Sequence, residues 1–223
     1  MTDTHTLSPP DFSAARRHMV ESQLRPSDVS DPVVIAAMAL TPRENFVPAG
    51  QRALAYIDRA VPLPGGRMLN PALSTGLLLT RAALASDDRV LLIGAGTGYV
   101  AALLSGIVAS VVAVEADRAL VEYAQTTLAS AANVTVVESA LAEGYAAGAP
   151  YDLIIIDGAV QQVPDALVAQ MADDGRLLSG LDEDGVSRLA IGRKHGTAFA
   201  LVPFTDTDIA PLAAFTRPKS YSF

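Results

Sequence analysis

Three glycines alternate with small residues at Gly94-Ala95-Gly96-Thr97-Gly98, directly after the apolar run at 90–93. A backbone free of Cβ atoms lets a ligand come close to main-chain N–H groups. Glu115 ends the next apolar run, SVVAVE. A carboxylate there can accept both hydroxyls of a ribose, in charge-assisted hydrogen bonds worth roughly 1.5–3 kcal/mol each. Asp157 closes a third run, YDLIIID, and can position an acceptor or take its proton. An adenosine-containing ligand fits this set, with or without a pyrophosphate: a dinucleotide, a nucleotide or S-adenosylmethionine. A tight strand-to-helix turn that binds nothing is the plain alternative. A phosphate loop would end in Gly-Lys-Ser/Thr, which does not occur here, and the dinucleotide fingerprint wants a small residue where Tyr99 stands.

Other chemistries find little support. The chain has no cysteine, which excludes disulfides, thiolate nucleophiles and sulfur-based zinc sites. His5, His18 and His195 lie far apart and read as surface or helix residues, so no metal is expected. Asp152 and Asp157 are an odd number of residues apart on one strand and point to opposite faces, so they share no metal.

The elements that position these residues follow from the hydrophobic pattern. From residue 89 onward, uninterrupted apolar strands alternate with helices (RVLLIGAG, SVVAVEA, VTVVES, YDLIIIDG, GRLLSG), which indicates a parallel sheet covered on both faces. Ligands bind at the carboxyl ends of such strands, where Gly94, Glu115, Ser139 and Asp157 would meet. DRALVEYAQTTLASA is an amphipathic helix capped by Asp117, and VPDALVAQM is a short helix closed near Gly175. Before residue 85 the chain reads as helices joined by proline-rich connections. Phe12, Ala15, Met19 and Val20 share one helical face, Asp31-Pro32 opens a second helix, and Asn70-Pro71 opens a third by the same device. Ser74 and Thr75 fall on that third helix as packing or capping residues. The loop at 62–71 folds over the strand ends, with Arg67 and Asn70 as its polar tips.

The chain of 223 residues fits one α/β domain, half of it apolar. Its 24 Asp and Glu against 16 Lys and Arg give a formal net charge of -8. That field repels phosphate backbones and anionic lipid, so neither nucleic acid nor membrane is expected as a partner. Residues 90–114 carry no charge, yet Gly94, Gly96, Gly98 and Gly106 break the run into strand, turn, helix and strand. The opening MTDTHTLSPPDF has no basic or apolar leader, which predicts a cytoplasmic protein.

The apolar strand, G-A-G-T-G loop and acid at the end of the next strand resemble class I S-adenosylmethionine-dependent methyltransferases. MVESQLRPSDVSDPVVIAAMALTPRENFVP followed by AYID, and later YDLIIIDGAVQQVPDALVAQMADDGRLL, is similar to protein-L-isoaspartate O-methyltransferases from about residue 16 to 181. The resemblance implies a doubly wound α/β fold with a mostly parallel, seven-stranded, Rossmann-like sheet. It implies one methyltransferase domain over 1–223, with a helical extension and acceptor loop at 1–85 and a cofactor-binding core at 86–223. It implies S-adenosylmethionine as cofactor, held by Gly94, Ala95, Gly96, Gly98, Glu115, Ala116, Ser139 and Leu141. The implied activity is methylation of isoaspartyl carboxylates in damaged proteins.

Three positions depart from that family. In the acceptor loop of Met68, Leu69 and Asn70, the family carries Thr-Ile-Ser before Gln-Pro or Ala-Pro. Aligned on Pro71 this chain reads Arg67-Met68-Leu69-Asn70, so Leu69 stands for the serine and its hydroxyl is lost. Glu138-Ser139 replaces Gly-Asp beside the adenine. Asp157 stands where threonine is usual and would repel an incoming carboxylate, by about 4 kcal/mol for unit charges ~4 Å apart at an effective dielectric near ~20. Arg67 is the cation expected to offset it, which makes Asp157 and Arg67 the candidate catalytic pair. A different carboxylate, a hydroxyl or an amine as acceptor, or a silent S-adenosylmethionine-binding protein, are the alternatives that Leu69 and Asp157 keep open.

Overall fold

The computed structural model describes residues 11–183 and 185–217. His5 and the opening segment lie outside the described residues. In the N-terminal third, α1 (Phe12–Met19) turns Met19 into the core, and α2 (Pro32–Leu40) starts where the sequence places it. The Asp31 carboxylate accepts from the Val33 and Val34 N–H groups at 2.8 and 3.4 Å. Two residue pairs, β1 (Val61–Pro62) and β2 (Met68–Leu69), then close an antiparallel hairpin within the segment expected as a covering loop. α3 (Ala72–Ala82) follows, but Asn70 does not cap it: Pro71 holds the cap position without a side-chain bond. Ser74 and Thr75 are buried on α3, where Ser74 donates to the Asp208 carbonyl at 2.6 Å and Thr75 to that of Pro71 at 3.2 Å.

The sheet begins at β3 (Arg89–Ile93), followed by α4 (Tyr99–Ser105), β4 (Ser110–Glu115), α5 (Arg118–Thr127) and β5 (Val134–Glu138). β6 (Tyr151–Val160), α6 (Asp165–Val168), β7 (Met171–Glu183), β8 (Val186–His195) and β9 (Ala198–Asp206) complete it. The seven strands lie in the order β5-β4-β3-β6-β7-β8-β9. β3 to β7 run parallel, while β8 is antiparallel to β7 and β9 to β8. The chain winds outward from β3 to β5, then returns to the other side of β3 to lay down β6. The switch point therefore falls between β3 and β6.

Alternation along β3 shows that both faces are covered. Val90 and Leu92 enter one apolar cluster with the N-terminal helices and α4, and Leu91 and Ile93 enter a second. That second layer is not built from long helices. Leu141, Leu167, Leu212 and Phe215 cover it, from a four-residue helix, a loop and the C-terminal segment. Gly175 also differs from expectation: it lies inside β7, within a bulge between the pairs Tyr151–Met171 and Leu153–Arg176. The short helix ends earlier, at Ala169. His18 and His195 are exposed. Among the described residues no helix is long and apolar enough to cross a membrane, and no group of three His, Cys, Asp or Glu could hold a metal ion.

At the amino ends of the strands Arg176 binds both Asp88 oxygens and the carbonyls of Ala82, Ala83 and Asp152. Asp88 is 5% exposed, so losing its partner leaves a buried carboxylate unpaired. Arg176→Met is expected to lower stability by about 3–5 kcal/mol, read as a fall in the urea midpoint. The double variant with Asp88→Asn should recover a large part of it. Additive losses would show that the pair is not coupled.

Candidate functional site

Strand register brings the acidic and glycine positions to one level. Ile93 pairs with Val114 and with Ile156, so Gly94, Glu115 and Asp157 each stand one residue past a paired position on β3, β4 and β6. Glu115 in turn lies opposite Glu138 on β5. The glycine turn is backbone-strained in the way only glycine tolerates: Gly94, Gly96 and Gly98 have φ of 78, 55 and 95°. A Cβ on Gly98 would stand 2.8 Å from Leu128.

The Glu115 side chain is 1% exposed. Its burial is compensated by backbone donors: Gly96 N–H at 2.8 Å to Oε2, and Ala116 and Asp117 N–H at 2.8 and 3.2 Å to Oε1. Asp117 caps α5 through Leu120 N–H at 3.1 Å, as its sequence position predicts. A crevice of about 440 Å3 opens beside this acid, walled by Arg67, Ala116, Leu141, Leu212 and Ala213. Ser139 follows β5 next to Ala140 on that wall, and the Ala95 amide bonds the Val114 carbonyl at 3.0 Å behind the turn. The volume, the apolar walls and a buried acid at one end suit an adenosine-sized ligand with a ribose diol at Glu115. A larger groove, about 680 Å3 between α1 and α2, lies away from the strand ends.

The hairpin at 62–71 closes over this crevice, and its residues part company. Leu69 is buried in the core and offers nothing to a ligand, while Met68 is half-buried. Arg67 reaches into the crevice, where one nitrogen lies 3.4 Å from Glu115 Oε1 and another donates to the Gly94 carbonyl at 3.1 Å. Among the described residues the Asp157 carboxylate is bonded by Asn70 and not by Arg67. Asn70 Nδ2 donates to Asp157 Oδ1 at 2.7 Å, and Asn70 Oδ1 accepts from the Ala210 N–H at 2.8 Å. That explains why Asn70 does not cap α3: its side chain spans from the hairpin to β6 and the C-terminal segment. Burial pushes the Asp157 carboxyl above its ordinary range, against the Asn70 hydrogen bond and the charges of Arg67 and Arg43. The charge of Glu115 adds to the upward shift.

Two contributors were not singled out from sequence. Arg43, fully buried, donates to the carbonyls of Ala55 and Asn70 and stacks on Tyr99, 4.7 Å from the ring centroid. It thereby fixes the hairpin and the AYID segment against α4. The P-R-x-x-F-V-P spacing contains it, but spacing alone does not show that it faces inward. The C-terminal segment is the second. Ala159 donates its N–H to the Ala210 carbonyl at 2.8 Å and its carbonyl accepts from the Leu212 N–H at 2.9 Å, which places Leu212 on the crevice wall. The N-terminal side clamps both the turn and α5: Thr97 donates to the Phe46 carbonyl at 2.6 Å, and Tyr123 of α5 to that of Val47 at 3.0 Å.

The model of the protein-L-isoaspartate(D-aspartate) O-methyltransferase (PCMT) family matches residues 14–207. A protein-L-isoaspartate O-methyltransferase of Koribacter versatilis (strain Ellin345) is 34% identical over 203 residues, 90% of this chain and 91% of the relative. One of Roseiflexus castenholzii (strain DSM 13941 / HLO8) is 37% identical over 204 residues, 91% of this chain and 93% of the relative. Two solved structures share the fold. A protein-L-isoaspartate O-methyltransferase superposes with a TM-score of 0.76 at 24% identity, covering 89% of this chain and 66% of that one. A Plasmodium falciparum structure of the same description, in complex with S-adenosyl-L-homocysteine, gives 0.76 at 18% identity, covering 89% of this chain and 98% of that one.

The raised carboxyl of Asp157 has a stability consequence with a definite sign. Below the unfolded value near ~3.9 the group is protonated in both states and burial costs nothing extra. As pH rises through the raised folded value, the burial penalty appears and then stays. Asp157→Asn is therefore expected to gain stability over the parent as pH rises from about 4 to neutrality, and to match it more closely in acid. Urea midpoints at the two pH values check this, and a pH-independent difference would contradict it.

Proposed function

This chain belongs to the protein-L-isoaspartate O-methyltransferase family, and on that premise we propose that it methylates isoaspartyl carboxylates in damaged proteins, using S-adenosylmethionine. The observation that carries the reading is the extent of the family match, 14–207, which takes in the N-terminal helices and the hairpin as well as the glycine turn. We read 1–223 as one methyltransferase domain, with 1–85 covering the site and 86–223 holding the cofactor, at work in the cytoplasm on a peptide or protein acceptor.

When bound, the cofactor supplies a methyl group on a positively charged sulfur, which departs as a neutral thioether once an acceptor oxygen takes the methyl. The residues around the crevice fit it. Glu115 would accept the ribose hydroxyls, the 94–98 turn would admit the methionine end, and Leu141 and Leu212 would pack on the adenine with Ser139 beside it. An ionised carboxylate acceptor is already nucleophilic and needs no base, so the chain's work is to align acceptor and methyl and to exclude water. The hairpin supplies that cover: Leu63 lies 3.4 Å from where a Cβ on Gly96 would stand.

A hydroxyl or amine acceptor is the second reading, and Asp157 favours it. Its carboxylate stands at the level of the glycine turn, and its raised pKa suits a general base. The two readings separate in one assay: transfer of labelled methyl to an isoaspartyl peptide, with the aspartyl peptide as control. Base-labile label on the isoaspartyl peptide alone is expected. No transfer to it, with S-adenosylhomocysteine binding intact, would leave the second reading. Glu115→Ala is expected to weaken S-adenosylhomocysteine binding by at least about tenfold in calorimetry, from the loss of charged hydrogen bonds.

A further inference from the structure

Arg67 and Asn70 sit three residues apart on one hairpin, yet they serve different strand ends. Asn70 is committed to Asp157, while the Arg67 guanidinium lies on Glu115 and the Gly94 carbonyl. Gly94 and Asp157 follow positions that pair in register on adjacent strands, so Arg67 stands roughly one strand spacing, ~4.8 Å, from the strand that carries Asp157. It is thus the cation between the crevice proposed for the cofactor and the place where a methyl acceptor would approach.

We infer that Arg67 couples the two substrates: Glu115 holds its guanidinium until the cofactor's ribose takes that carboxylate, and the freed guanidinium then binds the acceptor's carboxylate beside Asp157. The inference rests on the reading of the crevice as the cofactor site. Glu115 Oε1 already accepts from Ala116 and Asp117 N–H, so a ribose hydroxyl on that oxygen competes with the guanidinium, while Oε2, with Gly96 N–H alone, has room for the second hydroxyl. The hold on Arg67 is weak enough to be exchanged: 3.4 Å is longer than the roughly 2.7–2.9 Å of a good charge-assisted bond. Contact with Gly94 depends on the glycine, since a Cβ there would stand 2.8 Å from the guanidinium. The hairpin backbone need not move. Arg67 O accepts from Leu63 N–H at 2.9 Å, and Asn70 is anchored at both ends of its amide. A side-chain swing about the Arg67 stem is sufficient, and a guanidinium fork suits a carboxylate that would otherwise meet the Asp157 charge.

The test is calorimetry on the full chain, titrating S-adenosylhomocysteine, and titrating an isoaspartyl peptide with and without it. In the parent, S-adenosylhomocysteine should tighten peptide binding by roughly fivefold or more. Arg67→Met, which keeps the apolar stem, should bind S-adenosylhomocysteine roughly three- to tenfold more tightly and bind the peptide weakly whether or not it is present. Arg67→Lys, with charge but no fork, should retain part of the coupling, and thermal unfolding followed by circular dichroism shows that each variant is folded. Unchanged or weaker S-adenosylhomocysteine binding in Arg67→Met, or full coupling in that variant, overturns the inference. If the parent binds S-adenosylhomocysteine but shows no coupling, the inference alone falls. If the parent binds none, the cofactor reading falls and takes the inference with it.

Discussion

A buried carboxylate with no water to solvate it must find its hydrogen bonds in the chain, and Glu115 sets that requirement at the centre of the strand ends. Three backbone N–H groups answer it, from Gly96, Ala116 and Asp117. For Gly96 to reach it, the turn after β3 must bend back over β4, which demands left-handed backbone at 94, 96 and 98. For Ala116 and Asp117 to reach it, the chain must turn immediately after β4, and that turn leaves Asp117 free to cap α5. Arg67 is drawn to the same charge from the hairpin above. The glycine turn, the start of α5 and the seating of the hairpin are thus consequences of one charge in one place.

The hairpin side of the crevice is organised by a second set of polar bridges, which connect parts of the chain far apart in sequence. Arg43 joins Ala55 to Asn70, and Asn70 joins the hairpin to β6 and to Ala210. Tyr56 donates to Glu44 and accepts from Arg16 at 3.0 Å, and its hydroxyl titrates well above the usual range, by burial first and the Glu44 bond second. Such bridges give geometry more than stability. Each replaces hydrogen bonds to water that the unfolded chain already makes, so its net worth is only about 1–3 kcal/mol, while its direction is fixed. The hairpin consequently approaches the strand ends along one line, with Leu69 turned into the core and Arg67 and Asn70 turned toward the crevice.

Loss of a hydroxyl at Leu69 does not leave the hairpin without polar reach. Its neighbour Asn70 supplies the amide that orients Asp157, and Asp157 carries a charge which the burial of the site disfavours.

The sequence alone determined the sheet and its ligand edge. Apolar runs of strand length alternate with helical ones, and a glycine turn followed by an acid at the next strand end is a local pattern that survives any packing. Caps built on a single side chain, at Asp31 and Asp117, were legible for the same reason. Asn70 was not, because an identical Asn-Pro pair can cap its own helix or reach across the molecule, and only the position of β6 and Ala210 selects the second. Arg43 could not be told from a surface arginine, since its partners are carbonyls, which every residue type carries. The contribution of Leu212 to the crevice arises because the C-terminal segment crosses back over β6, a contact between residues about 50 positions apart with no local signature. Arg67 shows the division most clearly. Its charge and its loop were readable from the sequence, but its choice of Glu115 over Asp157 follows from the register of β3, β4 and β6, which long-range backbone pairing decides.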